Sequence, residues 1–278
     1  MANVWMRFPE GKVKALTLSY DDGVEQDKKL MDILDDAQIK CTFNLNSGLF
    51  APEGTVYPAG HIHRRMSQDA VVKLYGNTGH EVAVHCLTHP HLETLPPAAV
   101  AREVVQDREK LETLFGVPVC GMAYPYGTYN DSVVRVLEDC GIAYARTVET
   151  TGTFALPSDW LRLKATCHHR DPNLQTLADT FTQQMPDSAP WLFYVWGHSY
   201  EFERDGNWSV IEAFAKTIGR RADVWYATNS EIYAYVKAYE RLVFAVDVSM
   251  VHNPSAQTVW FSVDQELHCV QPGETKRL

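Results

Sequence analysis

What most constrains this chain is a rhythm: short apolar runs suited to strands alternate with amphipathic helical stretches from residue 14 to about residue 240. Residues 14–20, 41–45, 81–84, 119–123, 143–148, 161–166, 191–196 and 224–227 read as strands. Between or after them, 27–37, 68–75, 96–115, 131–140, 174–184, 210–218 and 231–239 read as helices; in the first, Leu30, Ile33, Leu34 and Ala37 share one face. Such alternation predicts parallel strands joined by crossover helices. Seven or eight units in about 240 residues fit a closed or partly closed ring better than an open sheet. The expected class is therefore α/β, a distorted (β/α) barrel of about seven parallel strands. After Tyr239 the rhythm changes. Segments 242–251, 258–263 and 267–270 are β-rich, with turns at Asn253-Pro254-Ser255 and Pro272-Gly273 and no helical pattern between them. The expected organisation is a barrel over 1–240 and a small β appendage over 241–278 packed on it.

Composition removes several function classes. The 278 residues carry 25 Lys+Arg against 35 Asp+Glu, a net charge of −10, so no basic field steers nucleic acid or an anionic membrane toward the chain. No window is long and apolar enough to span a bilayer. Charge returns at Glu10, Lys12 and Lys14 before any secretory-type apolar run accumulates, so the expected location is cytoplasmic. The six cysteines have no short pair spacing and read as small buried hydrophobes. Nothing in the sequence indicates an oligomeric state.

In a barrel of this kind the strand C-termini gather on one face, and polar residues placed there converge. The first strand ends in Ser19-Tyr20-Asp21-Asp22-Gly23, two carboxylates before a glycine; alone, this reads equally well as a polar strand-to-loop turn. The third ends in His85-Cys86-Leu87-Thr88-His89-Pro90, where Pro90 turns His89 away from helical dihedrals and places the histidine pair on a tight loop. Two imidazoles plus one carboxylate, with water completing the sphere, form the open ligand set of a hydrolytic metal centre. The aromatic run from Trp191 ends in Trp196-Gly197-His198. His198 reads either as a core-edge histidine partnered by Glu201 or as a general acid. Ala123-Tyr124-Pro125-Tyr126-Gly127 is a common kind of turn that also offers a backbone N–H to an oxyanion.

Taken together and in this order, the segments resemble the polysaccharide deacetylase family, the NodB-like carbohydrate esterases (family 4), over residues 12–240. Thr17-Leu18-Ser19-Tyr20-Asp21-Asp22-Gly23 is similar to the first motif, which implies Asp21 as base and Asp22 as metal ligand. His85 and His89 with Pro90 are similar to the second, which supplies two histidine ligands. Tyr124-Pro125-Tyr126-Gly127 resembles the end of the third, implying that the Tyr126 N–H holds the substrate carbonyl. Trp196-Gly197-His198 resembles the last, with His198 as general acid. The implied cofactor is one divalent ion, zinc first, with cobalt, nickel, manganese or iron also compatible with an Asp-His-His set.

There are departures from the family pattern. Ala123 stands where the family has an arginine that holds the catalytic aspartate, and Arg162 on a later strand is the candidate replacement. Asp159-Trp160 is the nearest match to the fourth motif, which makes Trp160 a substrate contact. Trp196 stands at the leucine that shapes the acetyl pocket, so that pocket should be reshaped. Glu201 and Arg162 are the expected supporting residues.

The implied substrate is an N- or O-acetylated carbohydrate, small and soluble if the location is cytoplasmic. An amidohydrolase acting on a non-sugar amide or cyclic ureide is one alternative. A non-catalytic, metal-containing carbohydrate-binding barrel is another, supported by Ala123 and opposed by the presence of both Asp21 and His198. Adjacent His168 and His169 should face opposite ways on a strand. His61, His63 and His91 read as solvated loop residues, and Trp208, Trp225 and Trp260 as core or edge packing.

Overall fold

The computed structural model describes residues 2–278. The chain opens with a short strand, β1 (Val4–Arg7), that stays outside the barrel. β2 (Lys14–Asp21) is buried at every residue. It is followed by α1 (Asp27–Asp36), β3 (Cys41–Leu45), α2 (Gln68–Tyr75), β4 (Glu81–Val84), α3 (Pro97–Phe115), β5 (Gly121–Ala123), α4 (Asp131–Asp139) and β6 (Tyr144–Thr150). Then come β7 (Leu163–Ala165), β8 (Cys167–His168), α5 (Leu174–Gln183), β9 (Trp191–Gly197), α6 (Ser199–Arg204), α7 (Ser209–Ile218), β10 (Val224–Tyr226) and α8 (Asn229–Glu240).

The main sheet is parallel throughout, in the order β7-β6-β5-β4-β3-β2-β9-β8. Only Thr166 separates β7 from β8, so one stretch of chain pairs with β6 on one side and with β9 on the other. That stretch closes the sheet into a ring of seven strands, and a register shift between Arg146 and Thr150 marks its irregularity. β10 pairs with Lys14–Leu16 of β2, below the point where β3 pairs with Leu18–Asp21. Both faces of this sheet are covered: in β2 and β3, Leu16, Leu18, Tyr20, Cys41, Phe43 and Leu45 join the core under the helices, while the alternate residues Thr17, Ser19, Asp21, Thr42 and Asn44 are buried on the other face. Leu16, Leu18, Phe43, Leu45 and Val84 are fully buried between the sheet and α1, α2 and α3; each contributes roughly 1.5–3 kcal/mol relative to exposure.

Local chemistry sets the helix boundaries. Ser67 accepts the Ala70 N–H at the start of α2, Asn130 does the same for Val133 in α4, and Thr228 with Glu231 forms a capping box on α8. α3 ends at Gly116, at φ 67°, a left-handed position that glycine adopts without strain.

The C-terminal segment contributes β11 (Val243–Phe244), β12 (Met250–His252), β13 (Val259–Val263), β14 (Glu266–Val270) and β15 (Thr275–Arg277), all antiparallel. They form two three-stranded sheets, β11-β12-β15 and β1-β13-β14. Residues 4–7 thus join the C-terminal sheet and not the barrel, a pairing across about the whole chain that local periodicity cannot reveal. Ala238 of α8 packs with Val251, Val259, Phe261 and Val270, and Tyr235 links the parts by donating to Arg7 O (2.7 Å) and accepting from Trp260 N–H (2.9 Å). Among the described residues, no helix is long and apolar enough to cross a membrane.

Candidate active site

β2, β4 and β9 all run the same way, so Asp21 and Asp22, His85 and His89, and His198 emerge together at their C-terminal ends. The turns that present them are strained. Asp22 (φ 87°), Cys86 (φ 65°), His89 (φ 55°) and Tyr126 (φ 58°) all occupy the left-handed region without being glycine, and such outliers concentrate where a side chain must be aimed. Asn46 braces one of them by donating to the carbonyls of His85 and Cys86. Gly197 is required for a different reason: a Cβ there would overlap the His169 ring, which packs against the end of β9.

Ligating atoms of Asp22, His85 and His89 all lie within 4.8 Å of one another. The donor set fits a divalent ion. His85 Nδ1 lies 2.8 Å from Ala123 O, which places its proton on Nδ1 and leaves the Nε2 lone pair free. Burial depresses the pKa of His85, and burial followed by the charge of His85 brings His89 down to about 4, so both imidazoles are neutral and competent to ligate. Burial opposes the charge on Asp22, but His63 and the neighbouring cations outweigh it and hold the carboxyl well below the usual range.

Asp21 lies beside this set, 3% exposed. Its Oδ1 accepts from Asn44 Nδ2 at 2.8 Å, and its Oδ2 is bound by Arg146 and lies 3.8 Å from both His85 Nε2 and His198 Nε2. Burial works against ionisation here too, yet Arg146, His85 and His198 keep Asp21 below the ordinary carboxylate pKa. The arginine on Asp21 is therefore Arg146, in β6, and not Arg162. Arg162 is held on the outside of the barrel by Asp131 (2.7 Å) and Asp159 (2.9 Å). Arg146 is itself 1% exposed and lies over the Trp196 ring at 4.3 Å, and the His168 ring meets the same indole edge-on at 4.4 Å. Trp160 does not reach the site; it packs edge-on against Tyr233 of α8, with ring centroids 5.1 Å apart.

His198 faces Asp21 through Nε2 and Glu201 through Nδ1, the latter at 3.5 Å. Glu201 is a hub: its Oε2 also lies 3.2 Å from the Nε2 atoms of both His168 and His169. The two adjacent histidines converge because β8 ends at His168, releasing His169 from strand alternation. His168, His198 and Glu201 are close enough to suggest a second ion site. However, His168 Nδ1 accepts the Arg170 N–H, which puts the His168 proton on the nitrogen facing Glu201, so the cluster is a proton-donor network around a carboxylate. Burial disfavours charge on both Glu201 and His198, but His168, His169 and then His198 hold Glu201 far below the usual carboxylate range, and Glu201, helped by Asp21 and Asp22, raises His198 above the ordinary imidazole value.

His198 as acid must be protonated, so activity should fall as pH rises through its elevated pKa. Glu201→Gln removes the charge that elevates it, and the alkaline limb of the kcat/KM profile should then move to lower pH while the acid limb stays in place. An unmoved alkaline limb would separate Glu201 from the acid.

Three further side chains come from loops that sequence reasoning reads as solvated or does not single out. His63 Nε2 lies 3.1 Å from Asp22 Oδ2, and Arg65 donates to Asp22 Oδ1 (3.1 Å) and to Asp22 O (2.8 Å). His91 stacks on Tyr126 with centroids 3.9 Å apart, and Tyr126, 54% exposed, stands at the rim with its edge toward His89. No periodic signal marks loop residues of this kind.

Residues 8–145 match the family described as Polysaccharide deacetylase, a stretch that carries β2 through β5 and positions Asp21, Asp22, His85, His89 and Tyr126. An uncharacterized protein of Streptomyces coelicolor is 29% identical over 126 residues, 45% of this chain and 44% of that protein, so the match spans less than half of the curated relative. A candidate polysaccharide deacetylase from Mycobacterium smegmatis has the same fold, with TM-score 0.57 and 18% identity, covering 84% of this chain and 93% of that one. The Xyl-CE4 domain of a multidomain xylanase from the hindgut metagenome of Trinervitermes trinervoides is similar at TM-score 0.51 and 16% identity, over 81% and 92%. The polysaccharide deacetylase match over residues 8–145, the seven-strand ring and the order of the polar strand ends agree, and together they support a NodB-like deacetylase family for this chain.

Proposed function

We propose that the chain is a metal-dependent deacetylase that hydrolyses the acetyl group of an N- or O-acetylated carbohydrate. The observation that carries this reading is the position of Asp21. One buried carboxylate, held ionised by Arg146 and Asn44, lies 3.8 Å from a ligand-type histidine on one side and from His198 on the other. When bound by Asp22, His85 and His89, a divalent ion supplies Lewis-acid polarisation and a water of lowered pKa. Zinc is the first candidate for that ion, in line with the divalent metals the family generally uses.

The chain's own residues do the rest. Asp21, ionised at neutral pH, takes the proton of the attacking water. The Tyr126 N–H, exposed by a turn whose internal bonds are donated by Gly127 and Thr128, serves the oxygen that gains charge. His198, kept cationic by Glu201, gives its proton to the departing nitrogen or oxygen. The Trp196 ring, backed by Arg146, narrows the region next to the acid, which favours a small acyl group.

The ground for a non-catalytic reading was the absent arginine at Ala123, and Arg146 supplies that charge from the next strand. A cytoplasmic location, with a small soluble substrate, remains part of the proposal. Acetate release tests it, using purified protein reloaded with zinc, cobalt, nickel or manganese and a panel of N- and O-acetylated oligosaccharides and small amides. Release from the saccharides is expected. Release from the amides alone would transfer the reading to a non-sugar amidohydrolase, and no release from any substrate with metal bound would overturn it.

A further inference from the structure

The appended sheet carries an aromatic site that the barrel chemistry does not use. Of the seven tryptophans, Trp160, Trp191, Trp196, Trp208 and Trp225 each pack against another ring. Trp5 has no ring partner among the described residues and is 37% exposed on β1. The register pairs Trp5 with Ser262 and Arg7 with Trp260, which puts Trp5 and Trp260 on the same face of the sheet.

Trp5 walls a cavity of about 410 Å³, within the range of small-ligand sites. Its remaining lining is polar: Asn3, Arg7, Asp187, Ser188, Asp264 and Gln265. A second cavity of about 680 Å³ shares Asp187 and Ser188 and continues to Phe154 and Trp191, so the two form one groove with a tryptophan at each end. The groove is built. Asn3 N donates to Asp264 Oδ1 (2.9 Å), Asp264 N returns a bond to Asn3 O (3.0 Å), and Arg7 Nη1 binds Ser188 O (2.8 Å). Asp264 (φ 47°) and Gln265 (φ 75°) form the strained turn between β13 and β14. The side chains of Asn3, Asp187 and Gln265 make no hydrogen bond or ion pair among the described residues.

We propose that this groove is a secondary carbohydrate-binding site, distinct from the site at the strand C-termini. The C–H face of a pyranose ring lies on Trp5, and its hydroxyls are read by the free amides of Asn3 and Gln265 and the carboxylate of Asp187. A rigid indole face gives large contact area at low entropic cost, and acceptors and donors in nearly equal number suit vicinal hydroxyls. The alternatives fit less well. Protein interfaces are depleted of charge at their centre, whereas six of the seven residues around the first cavity are polar or charged. An anionic polymer or lipid would meet two carboxylates against one arginine, on a chain of net charge −10.

Asp187 and Ser188 precede β9 and His198 follows it, so the seven residues of β9, at about 3.3 Å each, separate the two sites by roughly 20 Å. Binding at Trp5 therefore does not present a bond to Asp21; it holds a chain or particle near the enzyme and raises the effective concentration of its acetyl groups. This inference rests on the carbohydrate reading of the active site.

The test uses two variants of the metal-loaded protein, Trp5→Ala and Asp187→Ala/Gln265→Ala, the second altering only exposed polar groups. Binding of acetylated oligosaccharides is followed by calorimetry and by chemical-shift changes at the Trp5 indole N–H, in parallel with turnover of an acetylated monosaccharide. Oligosaccharide binding should weaken about tenfold in each variant, the loss expected for one aromatic stacking contact, while monosaccharide turnover stays unchanged. Unchanged binding in both variants overturns the proposal, as does a concentration-dependent dimer that Trp5→Ala dissociates, since a second copy would then be the occupant. If no acetate is released from any substrate but glycan binding still depends on Trp5, the deacetylase reading fails and the binding site stands. If acetate is released and Trp5 is irrelevant to binding, only the binding site fails.

Discussion

Asp21→Asn is expected to stop acetate release while the protein retains its metal. The substitution keeps the shape of the side chain and removes the base, and a positioned general base contributes about 10²–10⁴ in rate. Asp22, His85 and His89 remain as they were, so metal content measured by elemental analysis should match that of the wild type. His85→Ala gives the converse pattern. It deletes a ligand imidazole whose tautomer is fixed by the Ala123 carbonyl, and both metal and activity should be lost together. Normal turnover in Asp21→Asn would remove the base from the scheme and with it the reading of the first motif.

Arg146→Met should have the second largest effect, and on two quantities at once. Arg146 and Asp21 are 1% and 3% exposed, so deleting the cation leaves an unpaired charge in the interior. Breaking a buried pair from one side costs about 3–5 kcal/mol of stability, readable in a denaturant titration. Activity should fall with it, because an uncompensated Asp21 is drawn toward its neutral form and no longer accepts a proton. The double variant Arg146→Met/Asp21→Asn removes both charges and should regain most of the lost stability while remaining inactive. Arg146→Lys retains the charge but not the planar contact with Trp196, and an intermediate loss is expected. If Arg146→Met keeps wild-type activity and stability, the family's missing arginine has no substitute in this chain.

The contrast between Arg146 and the histidines shows what the sequence makes legible. Asp21-Asp22 and His85/His89 are visible because each pair is local and falls at the end of an apolar run, where a parallel barrel gathers polar groups. Arg146 is a single charge inside Tyr144-Ala145-Arg146-Thr147, a stretch buried at all four residues. A cation amid an otherwise buried strand is the signal that could have identified it, since such a charge needs an interior partner. Arg162 drew attention as a strand-start arginine, but its neighbours Asp159 and Asp131 satisfy it at the surface. Trp160 is similarly absorbed by packing on Tyr233.

Loop contributions are harder still. His63 and Arg65 reach Asp22 because the chain after β3 folds back over the end of β2, with Met66 N–H on Gly23 O and Glu25 N–H on Arg64 O. That path depends on tertiary contacts with α6, where Glu203 binds Arg64 through both nitrogens at 2.7 and 2.8 Å. The seven-strand ring was legible from strand–helix alternation, because each βα unit announces itself locally. The pairing of β1 with β13 was not, because the two segments are separated by the whole barrel.

The most direct measurement is a titration of metal-free protein with zinc, reading acetate released from an N-acetylated oligosaccharide at each step. Release should rise in proportion to bound ion and level off at one ion per chain, the capacity of the Asp22, His85 and His89 set. Release that is unaffected by removing the metal, or no release at full occupancy, would contradict a metal-dependent deacetylase.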